Sequence, residues 1–181
     1  MSNPVQRYRH TNRLKGYDYT LAEAYFVTIV TYQHLCLFGE IINGEVKLNP
    51  HGKIAFEQWK RLEKRFPLSD FSAFVIMPNH IHGIIYLSKG AGEGTQKNHD
   101  QISHLRPYIK LHVIPGSLGA IVRAYKASVS FRINLIRGLI DPPIWQRNYY
   151  DHIIRNEKEY ENIWKYIEAN SQKWDEDRFH P

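Results

Sequence analysis

The sequence is poor in sulfur, with one cysteine, Cys36, and two methionines in 181 residues. A single thiol excludes an intramolecular disulfide and any C-x-x-C metal or redox site, which points to a reducing compartment. Long apolar runs are missing as well. No stretch approaches the ~18 residues a membrane-spanning helix needs, and the first sixteen residues hold no apolar signal core, so a cytoplasmic protein with no membrane partner is expected. Two segments lack acids altogether. Residues 1–16 carry Arg7, Arg9, Arg13 and Lys15 without a carboxylate, and residues 117–140 carry Arg123, Lys126, Arg132 and Arg137 without one. What is present is ordinary globular material, 43% hydrophobic, with a net charge of +6 and a surplus of aromatic residues at 13%. That length and composition suit one compact domain. Clustered positive charge attracts polyanions by counterion release, and aromatic faces offer platforms for bases. A solvated basic surface without a partner has the same composition, so charge alone leaves both readings open.

Along the chain, residues 1–24 are polar and basic without a sustained period and read as an N-terminal arm. The run YFVTIVTYQH (25–34) is β-branched and aromatic, as a buried strand is. Asn43-Gly44 between two short apolar runs signals a tight hairpin turn. Asn49 is placed to cap a helix with Pro50 at its first position, its apolar residues Ile54, Phe56, Trp59, Leu62 and Phe66 recurring up to Pro67. FSAFVIM and IHGIIYL flank a Pro-Asn break and suggest an antiparallel strand pair. Residues 88–115, glycine-rich and polar, form the longest loop expected. From Ser117 the spacing predicts a helix with Leu118, Ile121, Val122, Tyr125, Val129 and Ile136 on its apolar side, Arg123, Lys126, Ser130 and Arg137 on one flank, and a stop at Pro142-Pro143. IWQRNYYDHIIR (144–155) reads as extended, and Asn156 caps a last helix whose buried stripe holds Tyr160, Ile163, Trp164 and Ile167.

Two constellations can carry chemistry. On a strand, His80 and His82 project to the same face while Ile81 projects to the other, making a half-site for a divalent metal. Paired surface histidines, or core histidines with satisfied hydrogen bonds, are the ordinary alternative; two polar rings in a very apolar strand favour the metal reading. On the last helix, Tyr166 and Asn170 are i,i+4 neighbours at the border of the buried stripe, so a phenol and an amide face one edge. A packing tyrosine would sit there too. Tyr149 and Tyr150 are rival nucleophiles, although adjacent residues on a strand face opposite sides. His152 could approach a metal or phosphate, or be structural. Trp145 is expected to close the core.

The runs FVIMPNHIHGIIYL, IWQRNYYDHIIRNEKEY and IWKYIEAN, in this order, resemble the REP-associated tyrosine transposases, within the single-tyrosine HUH transposases of insertion sequences. The likeness extends from about Tyr25 to Trp174, leaving the 88–115 loop unmatched. It implies an α+β, ferredoxin-like (RRM-like) antiparallel sheet with helices packed on one face, as a single catalytic domain over 25–181. It also implies a metal-dependent endonuclease and strand transferase for single-stranded or hairpin DNA, with monomer and homodimer both left open by the sequence. Matched by position, Tyr166 is the nucleophile, giving a 5′-phosphotyrosyl link and a free 3′-OH. His80, His82 and Asn170 hold the metal, Mg²⁺ or Mn²⁺. The clustered charge, rather than the resemblance, makes Arg7, Arg9, Arg13, Arg123, Lys126 and Arg137, with Arg147, the expected DNA contacts. Ser171 departs from the proline many relatives have there, which leaves the end of the helix open. A non-catalytic nucleic-acid-binding module and a metal-dependent hydrolase without a covalent intermediate are the alternatives.

Overall fold

The computed structural model describes residues 23–88 and 116–181. Arg7, Arg9 and Arg13 of the arm, and the loop with His99, His104 and His112, lie outside the described residues. Four strands form one antiparallel sheet: β1 (Ala24–Val30), β4 (Ser69–Ile76), β5 (His80–Leu87) and β6 (Tyr150–Ile154), in the order β4-β5-β1-β6. Between β1 and β4 come a small hairpin, β2 (Gly39–Ile42) with β3 (Glu45–Leu48), then α1 (Pro50–Lys60) and the single turn α2 (Leu62–Arg65). Helix α3 (Leu118–Arg137) links β5 to β6, and α4 (Glu157–Ala169) runs into a 3₁₀ segment, Asn170–Glu176. Two β-α-β halves with β1 and β5 adjacent in the centre make the expected ferredoxin-like α+β arrangement.

Local chemistry sets these elements. Asn43 and Gly44 both adopt positive φ, 54° and 76°, as the tight hairpin turn requires. Asn49, Ser117 and Asn156 each accept a hydrogen bond from a first-turn N–H and cap α1, α3 and α4. Several boundaries differ from the sequence expectation. The first strand stops at Val30, because Gln33 and His34 turn the chain through positive φ. Helix α3 ends at Arg137 on left-handed Gly138, ahead of the two prolines, and Ile133 is buried in place of Ile136, which is exposed. Only Tyr150–Ile154 of the 144–155 run pairs as a strand, although Trp145 bridges to Thr31. Trp164 is also exposed.

Period-two alternation gives the sheet two unlike faces. Tyr25, Val27 and Ile29 of β1 and Ile81, Ile85 and Leu87 of β5 enter one core with α1 and α3, including Trp59, Ile121, Tyr125 and Trp145. On the other face, Ile84, Ala73 and Ile154 meet Ile167 of α4 in a smaller cluster. The two connecting helices therefore cover one face, and the C-terminal helix lies across the opposite one.

Candidate active site and metal centre

His80 and His82 share that second face, their ring centroids 4.5 Å apart, and both are buried. Each ring is fixed by its Nδ1. His80 Nδ1 lies 2.8 Å from Asn79 Oδ1, and His82 Nδ1 lies 2.8 Å from Thr28 Oγ1 across the β1–β5 pair. Buried Asn79 donates both hydrogens of its amide, to His34 O (3.1 Å) and Phe179 O (2.6 Å). Its oxygen is then an acceptor, so His80 carries its proton on Nδ1 and keeps a lone pair on Nε2. That Nε2 is buried and has no hydrogen-bond partner. Burial lowers the His80 pKa to about 4, against the opposing pull of Asp177 and Asn170, and burial together with His80 lowers that of His82 well below its ordinary value. Both rings are therefore neutral at pH 7, the form that binds a metal.

Helix α4 and the chain beyond it bring the remaining groups. Tyr166, 44% exposed, has its hydroxyl 3.2 Å from His82 Nε2 and its ring 5.2 Å from the His82 ring. Burial, then the Asp177 carboxylate, raise its pKa, while the Asn170 side chain acts the other way. Asn170, one turn on, is buried; its Nδ2 donates to Asp177 Oδ2 (3.2 Å) and its Oδ1 has no partner. Asp177 lies 3.8 Å from His80 Nε2 with its side chain only 2% exposed. His80, His82 and Asp177 each present a ligand atom within 4.8 Å of the others and could hold a metal ion. Two imidazole nitrogens, a carboxylate and an orphaned amide oxygen form a donor set that suits a divalent cation.

Sequence reasoning named His80, His82, Tyr166 and Asn170, and the fold brings all four together. It missed Asp177, Asn79, Thr28 and Phe179, whose ring stands 4.9 Å from that of His80. Of these only Thr28 had a signal, as a polar residue in an apolar strand. Three of the expected DNA contacts lie away from this site. Arg123, Lys126 and Arg137 belong to α3, in the layer on the far face of the sheet. Lys126 is half-buried, and its ammonium donates to the carbonyls of Gln146, Arg147 and Asn148, tying down the loop before β6. Burial lowers its pKa to about 8. Arg137 donates to Pro142 O (3.2 Å), while Arg147 is exposed. His152 pairs with Glu159 at 2.6 Å. Tyr149 packs on the larger core, whereas Tyr150 faces the site side, its ring 5.8 Å from Phe179. Among the described residues no helix is long and apolar enough to cross a membrane.

Comparison with known proteins gives one relative in sequence and one structure of similar fold. Over 173 residues the chain is 36% identical to an uncharacterized protein of Haemophilus influenzae, covering 96% of this chain and 93% of that one. In three dimensions it is similar to a REP-associated tyrosine transposase bound to a REP hairpin, with a TM-score of 0.57, 19% identity, and coverage of 89% of this chain and 74% of the other. That likeness establishes the shared fold. No protein-family profile matches the chain.

Proposed function

We propose that this chain, which belongs to one family with the Haemophilus influenzae protein and has the fold of a REP-associated tyrosine transposase, is a transposase-like enzyme that nicks and rejoins single-stranded DNA. The observation that carries this reading is the 3.2 Å approach of the Tyr166 hydroxyl to a histidine pair beside which His80 Nε2 and Asn170 Oδ1 are buried without partners. A purely structural tyrosine would not need two desolvated imidazoles and a buried carboxylate beside it, since each costs free energy to bury.

His80, His82 and Asp177, with Asn170 Oδ1, would hold the divalent ion. Two imidazole donors favour Mn²⁺ over Mg²⁺ in affinity, and the bound ion would polarise a phosphoryl oxygen and offset its developing charge. The phenol oxygen of Tyr166 attacks phosphorus, and the bond from phosphorus to the 3′ oxygen breaks. The chain is left as a 5′-phosphotyrosyl ester while the 3′ oxygen leaves as a hydroxyl, taking up the equivalent of the phenol's proton. The ester keeps the phosphoryl group activated, so another 3′-OH displaces the tyrosine and rejoins the strands without ATP. Because burial raises the Tyr166 pKa, the proton leaves during attack rather than beforehand. With His82 Nε2 committed to the ion, the exposed side of the phenol delivers the proton to water.

The test is incubation of the full chain with labelled single-stranded hairpin DNA and Mg²⁺ or Mn²⁺. A denaturant-resistant protein–DNA adduct that disappears with chelator is expected. Cleavage without an adduct would replace this reading by a metal-dependent hydrolase, and binding without cleavage by a non-catalytic module.

A further inference from the structure

Beside the metal centre, on the side of β6, one cation is held in place without being neutralised. Arg178 follows Asp177 directly, and its guanidinium lies over two aromatic rings, 5.4 Å from the Tyr150 centroid and 5.7 Å from that of Phe179. Tyr150 and Phe179 contact each other and Phe179 packs on His80, so the rings form a continuous path from the guanidinium to the histidine pair. No carboxylate pairs with Arg178 among the described residues, and the residue is exposed. Stacking uses the face of a guanidinium and leaves its five in-plane N–H donors available. It also restricts a long side chain that would otherwise lose rotamer freedom on binding an anion. A desolvating aromatic base, a full positive charge and unspent donors together fit a phosphodiester oxygen.

We infer that Arg178, preorganised on Tyr150 and Phe179, binds a backbone phosphate of the single strand adjoining the one Tyr166 attacks. The inference rests on the DNA-nicking reading above and assigns that site a strand-positioning residue. Phe179 stands between the guanidinium and His80, so Arg178 holds a neighbouring phosphate while the scissile one is left to the histidine face. This sends the strand along β6, on the same sheet face as Tyr166 and away from the basic flank of α3. Tyr150 then has a role other than that of rival nucleophile: it is the base of the clamp.

The experiment is a titration of single-stranded hairpin DNA over a range of salt concentrations with the wild-type chain, Arg178→Ala, Arg178→Lys and Lys53→Ala. Lys53 is an exposed cation on α1, in the opposite layer, and controls for net charge. Loss of one phosphate contact should weaken binding roughly tenfold at low salt. It should also make the slope of log affinity against log salt shallower by about 0.7, the single-strand value per contact. Arg178→Lys should keep the slope but recover only part of the affinity, because an ammonium does not stack as a planar fork does. Lys53→Ala should leave the slope at the wild-type value. If Arg178→Ala binds as the wild type does, or no worse than Lys53→Ala, the inference is overturned. If the wild-type chain itself binds no single strand, the proposed function fails first, and the adduct assay identifies that case independently. Thermal melts of each variant confirm folding, as an exposed arginine leaves the cores untouched.

Discussion

The two faces of the central sheet are built by the same strands and differ in almost every physical respect. On the face under α1 and α3, Tyr25, Val27, Ile29, Ile81, Ile85 and Leu87 meet Trp59, Tyr125 and Val129 in one hydrophobic cluster. On the face under α4, alternate residues of the same strands supply Thr28, His80 and His82, and the apolar cluster shrinks to a few residues around Ile84 and Ile167. Strand β5 writes both in one stretch, HIHGIIYL. The first face provides stability that lets the second carry buried imidazoles and an unpaired amide oxygen, groups that cost free energy wherever they are not used.

If that division holds, perturbations should separate by face. The largest change in stability is expected from Trp59→Ala, which removes a ring stacked on Phe74 and edge-on to Tyr125. A loss of about 3–5 kcal/mol in chemical denaturation is expected, with the histidine geometry on the other face unaltered in the fraction that remains folded. Acid should strike the other face. The unfolded chain protonates His80 near its ordinary pKa, whereas the native chain resists until about 4. Stability is therefore fully present above about pH 6.5 and declines as pH falls towards 4, by on the order of 3 kcal/mol. His82, lowered by burial too, adds in the same direction. Melting temperature against pH should flatten in His80→Ala, and an unchanged slope there would place the acid sensitivity elsewhere.

Gly83 touches the first face from the strand that carries the histidines. A Cβ there would come 2.3 Å from Trp59 Cζ2, so Gly83→Ala should cost roughly 1–3 kcal/mol by overpacking, read by denaturation. Asp177→Asn should affect the second face alone: Mn²⁺ affinity measured by calorimetry should fall by about tenfold or more, with the melting temperature of the metal-free protein little changed. The smallest change in stability belongs to Tyr166→Phe, within about 0.5 kcal/mol, because the ring keeps its contacts with His82 and Phe26 and only a half-exposed hydroxyl is lost.

The first face was legible because periodicity reports burial directly: the strands, the caps at Asn49, Ser117 and Asn156, and the Asn43-Gly44 turn follow from local chemistry. His80 with His82, and Tyr166 with Asn170, were legible for the same reason, each pair being set by one element's own repeat. What joins those pairs was not. Asp177 sits in an acidic run, Asp175-Glu176-Asp177, where nothing local distinguishes the carboxylate that turns inward, and the 3₁₀ segment that delivers it has no apolar repeat. Asn79 is chosen by carbonyls of residues 34 and 179, far along the chain. The charges of α3 were read from a helical wheel, which gives a flank but not the face of the sheet on which the helix lies. Lys126 shows the consequence, its ammonium spent on three loop carbonyls.

The claim that Tyr166, on the second face, is the nucleophile is tested most directly by finding the covalently modified residue. After reaction of the full chain with hairpin DNA and Mn²⁺, nuclease trimming and peptide mass spectrometry should place the residual nucleotide on Tyr166. Attachment to Tyr149 or Tyr150, or to no tyrosine at all, would contradict it.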